Sequence, residues 1–193
     1  MEIININQIE EKQEFILDEI KKGKIFIYPT DTVYGLGCDA TNYDAIEKIF
    51  KIKQRESKAL LIIAPSKTWI YENFDFNSKF KSEIETKLPG PYAFIFKFKK
   101  DNKPLLSKNL AKGKDTIGIR IPDCKFNTLI EELNRPFITT SVNITGQPTA
   151  LKLEDIPKEI LEKVDYLIET KDELLGKSSQ IFDLTGNEIK QLR

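Results

Sequence analysis

The chain has 193 residues, 40% of them hydrophobic and 31% charged, a composition that supports one folded domain with a substantial core and excludes a disordered or fibrous protein. Its 30 basic and 30 acidic residues cancel, which argues against a general nucleic-acid coat. Histidine is absent, so Ser-His-Asp triads, Cys-His pairs and His-ligated zinc are excluded together.

The N-terminus, Met1 to Gln8, is polar and acidic, unlike a basic-then-apolar export signal. No apolar run approaches the ~20 residues needed to cross a bilayer. Cys38 and Cys124 are too few for a zinc site and are expected as reduced thiols, so a cytoplasmic protein with no membrane partner is expected. Ile9, Phe15, Ile16 and Ile20 form a helical stripe ended by Gly23. A buried strand is expected at 25–28, followed by a hydroxyl- and glycine-rich loop over 30–37. Asn42 caps a second helix that buries Ala45, Ile46, Ile49 and Phe50. The apolar run 59–64 reads as an interior strand. Ser66 and Asn77 are candidate caps of two helices ending near Leu88, before the rigid turn Pro89-Gly90-Pro91. Strands at 92–98 and 116–121, a helix at 127–133 and a strand at 137–140 follow. A polar loop then runs to Ala150, and a helix is expected at 157–163. Strands at 166–168, 181–184 and 188–192, the last two joined by the turn Thr185-Gly186-Asn187, complete a mixed sheet. Elements of both kinds alternate along the whole length without a linker, which predicts a single α/β domain over 1–193.

Four segments carry polar groups where α/β proteins place ligands. In the run from Tyr28 to Gly37, threonine hydroxyls can donate or accept and the glycines admit close backbone approach, although a capped turn uses the same residues. In Lys51-Ile52-Lys53-Gln54-Arg55, Lys51 and Arg55 share a face if the helix continues, and Lys53 and Arg55 share one if it stops. Either arrangement suits a polyphosphate, and either also describes a solvated helix C-terminus. In 116–120, Thr116, Gly118 and Arg120 alternate with Ile117 and Ile119, so the arginine either meets a carboxylate or phosphate or lies on an exposed sheet face. In 139–146, Ser141 and Asn143 lack the histidine a serine nucleophile needs and instead offer neutral donors, or simply an Asx turn. There is no Walker A loop or dinucleotide fingerprint. Spacing alone supports an anion-binding α/β domain.

Taken in order, Pro-Thr-Asp-Thr-Val-Tyr-Gly-Leu (29–36), Lys-Gln-Arg (53–55), Pro-Gly-Pro (89–91), Thr-Ile-Gly-Ile-Arg-Ile-Pro (116–122), Thr-Ser-Val-Asn-Ile-Thr-Gly (140–146), Ser-Gln-Ile-Phe-Asp (179–183) and Arg193 resemble the YrdC-type threonylcarbamoyl-AMP synthase family in its short form. The resemblance implies a twisted mixed sheet with flanking helices around a positively charged concave cavity. It implies synthesis of threonylcarbamoyl-AMP and pyrophosphate from L-threonine, bicarbonate or carbon dioxide, and ATP. The product would pass to a threonylcarbamoyl-transfer complex that modifies tRNA next to the anticodon, with a weak RNA contact as a further expectation. ATP would be a substrate, accompanied by magnesium held mainly on its phosphates, with no protein metal site and no tightly bound organic cofactor. By motif position, Lys51, Lys53 and Arg55 would hold the ATP phosphates, Lys53 and Arg55 as the catalytic pair. Thr116, Ser141, Asn143, Thr149 and Arg193 would contact the nucleotide. Arg120 would clamp the threonine carboxylate, with Thr30 or Thr32, Thr139 and Ser179 completing that subsite. The sequence departs from the family at Ala93, Val142 and 56–59. The alternative is a non-catalytic RNA- or nucleotide-binding paralogue of the same fold.

Overall fold

The computed structural model of the chain describes residues 1–54, 60–99, 106–107, 109–111 and 113–193; Arg55 and the departing segment 56–59 lie outside the described residues. The first half carries strands β1 (Glu2–Asn5), β2 (Phe26–Pro29), β3 (Tyr34–Gly37), β4 (Leu61–Ile63) and β5 (Phe74–Asp75). Between them lie helices α1 (Gln13–Lys21), α2 (Tyr43–Lys53) and α3 (Lys67–Asn73). The second half adds α4 (Lys81–Lys87), β6 (Tyr92–Phe98), β7 (Thr116–Arg120), α5 (Phe126–Leu133), β8 (Phe137–Ser141), α6 (Lys158–Leu161), β9 (Tyr166–Glu169), β10 (Gln180–Asp183) and β11 (Lys190–Gln191). The strands form one mixed sheet in the order β1-β9-β2-β3-β8-β4-β7-β6-β10-β11, with β5 on the far side of β6.

The expected caps hold their helices. The Asn42 side chain accepts from the Ala45 N–H at 3.0 Å, and Ser66 accepts from the Trp69 N–H at 3.0 Å. Gly23 sits at φ +77 just past α1, the left-handed ending that favours glycine. Asn77 caps a single 3-10 turn that runs into α4, so the second of the two expected helices begins less regularly than expected. Ile9 falls outside α1, in the turn before it.

Three readings change. The loop expected over 30–37 is a tight turn, and its second half is strand β3, antiparallel to β2 and β8. Glycines there are a packing requirement: a Cβ on Gly35 would sit 2.8 Å from the Tyr28 ring, and one on Gly37 would overlap the Ile138 carbonyl. Residues 2–5 form an edge strand parallel to β9. Its alternation is hidden because only Ile4 is fully buried while Ile3 faces solvent. The short β5 likewise carries too few residues to show a period.

Registered pairs in a sheet point to the same face. On one face, Ile27, Leu36, Ile138, Ile62, Ile117 and Ile119 join α2 residues Ala45, Ile46, Ile49 and Phe50 in the larger core cluster. On the other, Phe26, Tyr28, Phe137, Ile63, Ile4 and Ile168 meet Ile16 and Ile20 of α1 and Phe126, Leu129 and Ile130 of α5. Stacked and edge-on rings concentrate here, Tyr28 on Phe126 at 4.1 Å and Tyr28 on Phe137 at 5.6 Å. Two residues further along the same face, the strands present Gly35, Ser141, Thr139, Leu61 and Gly118. The apolar cover has ended and the exposed face turns polar.

Candidate functional site

That polar end of the sheet is the floor of a cavity of about 250 Å³. Thr30, Thr32, Val33, Tyr34 and Gly35, from the β2–β3 turn and the start of β3, form one wall, Leu61, Thr139, Thr140 and Ser141 the base, Arg120 another wall, and Ser178, Ser179, Ile181 and Arg193 the rim. Segments more than 150 positions apart meet because β2 pairs with β3, β3 with β8, β8 with β4, β4 with β7, β7 with β6, and β6 with β10.

Arg120 lies at the end of β7 and is 4% exposed. It forms an ion pair through Nη2 with Asp31, and its Nη1 donates to Thr32 Oγ1 at 3.3 Å. The threonine hydroxyls continue the chain: Thr30 and Thr32 share a hydrogen bond at 2.9 Å, and Thr30 donates to the Val33 carbonyl at 2.7 Å. With Thr30 so committed, Thr32 is the donor of the shared bond, and the order runs from Arg120 through both hydroxyls to the turn backbone. Thr30 also accepts from the N–H groups of Thr32 at 3.1 Å and Val33 at 3.3 Å. Asp31 steadies its other oxygen on the Asp123 N–H at 3.3 Å. The guanidinium is thus fixed by a turn drawn from the other side of the sheet.

Arg193 meets Arg120 across this space. Its Nε donates to the Ser179 carbonyl at 3.0 Å, and its own carbonyl accepts from the Ile181 N–H at 3.1 Å, so the chain past β11 is laid against the rim. Burial, and then repulsion from Arg120, lower the Arg193 pKa from its ordinary value. Two guanidiniums beside seven serine and threonine side chains form a place where an anion is welcome.

Lys53 ends α2 and is 2% exposed. Its ammonium donates to the Ser141 carbonyl and to Asn143 Oδ1, both at 2.6 Å. Asn143 Oδ1 also accepts from the Ser141 hydroxyl at 2.8 Å, and Asn143 Nδ2 donates to the Gln147 carbonyl at 2.6 Å. Thr145 Oγ1 closes the seam on the Lys53 carbonyl at 2.9 Å. The helix then stops at Gln54, which takes a left-handed φ of 49. Lys53 therefore stitches the end of α2 to the loop after β8, with Ser141 at the junction between that seam and the cavity.

Of the expected residues, Thr30, Thr32, Arg120, Thr139, Ser141, Ser179 and Arg193 line the cavity together. Lys53 and Asn143 stand behind it, linked through Ser141. Lys51 is on the exposed side of α2, and Thr149 is half-buried beside Ala150, whose N–H and carbonyl bond Val142 and Tyr34. Thr116 begins β7, four positions before Arg120 and on the same face, roughly 13 Å along the strand. Asp31, Leu61, Tyr34 and Ser178 were not singled out. Leu61 had a signal: it pairs with Gly118, whose missing Cβ leaves the space the leucine side chain fills. Asp31 lay in plain view inside the motif, but nothing in spacing couples it to a residue 89 positions away.

Residues 18–193 match the Sua5/YciO/YrdC family, whose description reads "Telomere recombination". The chain is 38% identical, over 100% of its own length and 91% of the relative's, to a Methanocaldococcus jannaschii protein provisionally named a threonylcarbamoyl-AMP synthase. Its fold resembles P. abyssi Sua5 complexed with L-threonine, with a TM-score of 0.87 and 25% identity over 100% of this chain. The chain spans 57% of the length of that Sua5 chain. It also resembles E. coli YciO, with a TM-score of 0.81 over 100% of this chain and 93% of that one, a likeness of fold alone at 24% identity.

Proposed function

Because the chain belongs to the Sua5/YciO/YrdC family, we propose that it is a threonylcarbamoyl-AMP synthase, joining L-threonine, bicarbonate or carbon dioxide, and ATP. The observation that carries this reading is the cavity in which Arg120 and Arg193 converge on the hydroxyls of Thr30, Thr32, Thr139, Ser141 and Ser179. An amino acid needs this set: a guanidinium for its carboxylate and hydroxyls for its remaining polar groups. The threonine carried by P. abyssi Sua5 supports the same assignment here.

The chemistry asks little of the protein beyond placement. The free amine of threonine attacks carbon dioxide and loses a proton, giving a carbamate. A carbamate oxygen then attacks the α-phosphorus of ATP, and the bond to the β-phosphate oxygen breaks to release pyrophosphate. No residue becomes covalently attached, so a chain without histidine can perform it. Positioning and neutralisation of charge are the protein's contribution. Arg120 orients the amino acid, Ser141 and Arg193 meet the nucleotide end of the cavity, and the Lys53–Asn143 seam holds Ser141 in place. Lys51 and Arg55 are assigned to the phosphates by motif position, and magnesium would arrive on those phosphates as part of the substrate. Thr116 and Thr149 are assigned to the nucleotide by motif position. The product would serve tRNA modification through a transfer complex.

The test is pyrophosphate release from ATP by the purified chain. Release that requires both L-threonine and bicarbonate, and is lost in a folded Arg120→Ala variant, is the expected result. ATP binding without release under any of these conditions would point instead to a nucleotide-binding paralogue.

A further inference from the structure

We infer that Asp31 is an internal competitor for Arg120: its carboxylate holds the guanidinium until the carboxylate of the amino-acid substrate displaces it, making Asp31 a specificity-determining residue of the site. The inference rests on the reading of the cavity as an amino-acid site.

The pairing between the two residues is close but incomplete. Both side chains are almost fully buried, 5% and 9% exposed, so water does little to weaken their attraction. Yet Asp31 engages Arg120 through one oxygen and one nitrogen, while its second oxygen turns to the Asp123 N–H. Arg120 Nε, buried, has no hydrogen-bond partner among the described residues. A guanidinium satisfies a carboxylate best through two parallel N–H donors. A buried donor left alone is unfavourable. Arg120 therefore has an unspent donor that a two-oxygen ligand can use and that Asp31, tied to the Asp123 backbone, does not.

Asp31 is also placed to let go. It sits in the four-residue turn between β2 and β3 and lines a second hollow with Asp123 and Thr170, a hollow that meets the cavity at Thr30, which lines both. A released carboxylate has the Asp123 N–H and this hollow to turn toward. Thr32 keeps its hold on Nη1 throughout, so Arg120 need only rotate about one retained contact. An exchange of one carboxylate for another favours ligands bearing that group. A neutral analogue would have to break the ion pair without replacing it, whereas the carboxylate substrate restores it.

Calorimetric titration of the full chain with L-threonine and with L-threoninamide, for the parent, Asp31→Asn and Asp31→Ala, tests this. With the competitor removed, L-threonine is expected to bind about tenfold more tightly, the scale of one hydrogen bond to a charged group. The preference for threonine over its amide should widen by a similar factor. Melting temperature without amino acid should fall in both variants, and L-threonine should raise it by more than in the parent. Unchanged or weaker threonine binding in a folded variant overturns the inference while leaving the amino-acid site standing. A parent chain that binds no amino acid overturns both. Should neither variant fold, the Nε–H resonances of the parent's four arginines serve instead. One should shift strongly on threonine saturation and not with threoninamide, and an unmoved set overturns the inference.

Discussion

Replacing Lys53 by Met removes an ammonium while keeping most of the side chain's apolar length. Two charge-assisted hydrogen bonds at 2.6 Å disappear, to the Ser141 carbonyl and to Asn143 Oδ1. Hydrogen bonds to charged groups contribute roughly 1.5–3 kcal/mol each, so the variant should lose about 3–6 kcal/mol. Asn143 Oδ1 still accepts from the Ser141 hydroxyl, which places the answer nearer the lower figure. In a protein of this size 1 kcal/mol moves the melting temperature by about 2–4 °C, giving an expected fall of about 6–12 °C. Thr145→Val calibrates the seam, since it removes only the neutral bond to the Lys53 carbonyl and should cost about 1 kcal/mol. Urea unfolding gives both values. Pyrophosphate release, measured below both melting temperatures, should be lost in Lys53→Met and largely kept in Thr145→Val. A Lys53→Met variant that unfolds at the parent's urea concentration but releases no pyrophosphate would refute the reasoning. Lys53 would then act on the phosphates directly, and the seam would contribute nothing to the fold.

Other substitutions test neighbouring parts of the same structure. Gly118→Ala places a Cβ against Leu61 Cδ2, and because Leu61 lines the cavity, threonine affinity should fall about tenfold or more while the urea midpoint moves little. Gly37→Ala meets the Ile138 carbonyl, which cannot rotate away as a side chain can, so the variant should lose several kcal/mol or fail to accumulate as folded protein. Tyr166→Phe removes a hydrogen bond to Glu19 and leaves the ring stacked on Phe26 at 4.9 Å. Hydrogen bonds from Lys22 and Tyr166 hold the Glu19 carboxyl below its ordinary value of 4.5. Such a group stabilises the fold above its unfolded pKa and loses that contribution as pH falls through its folded one. The parent should therefore exceed Tyr166→Phe in stability at neutral pH, and the gap should close on acidification below 4.5; a gap that widened there would contradict the assignment.

The fold was legible where a period could run. The alternation at 116–120 and the apolar runs at 25–28 and 137–140 marked strands that lie in the middle of the sheet, and Asn42 and Ser66 announced the helices they cap. β3 was hidden for a physical reason: a strand crossing beneath Tyr28 and Phe137 must give up its side chains, and glycine in a sequence signals a turn first. β1 was hidden because an edge strand buries only one of its faces, and here little more than one residue of it. Among the described residues no helix is long and apolar enough to cross a membrane, as the hydropathy of the sequence indicated.

The site was legible in its residues and not in its couplings. Each motif named a polar group, and the register of β3, β8, β4 and β7 brings Gly35, Ser141, Thr139, Leu61 and Gly118 side by side on one face. Two properties arise only from that convergence. A lysine in a cationic helix end, which by composition is expected to be solvated, is instead buried, because the loop after β8 folds back over it with two oxygens aimed at its ammonium. An arginine expected either to meet a ligand or to lie exposed does neither as it stands: it is buried and already paired. On the proposed exchange, a guanidinium held this way takes an incoming carboxylate in place of the one it already holds. On that proposal the affinity of the cavity for its ligand is a difference between two ion pairs rather than the strength of one. Asp31 then sets that difference, although its part in the site depends on a contact across 89 positions of chain.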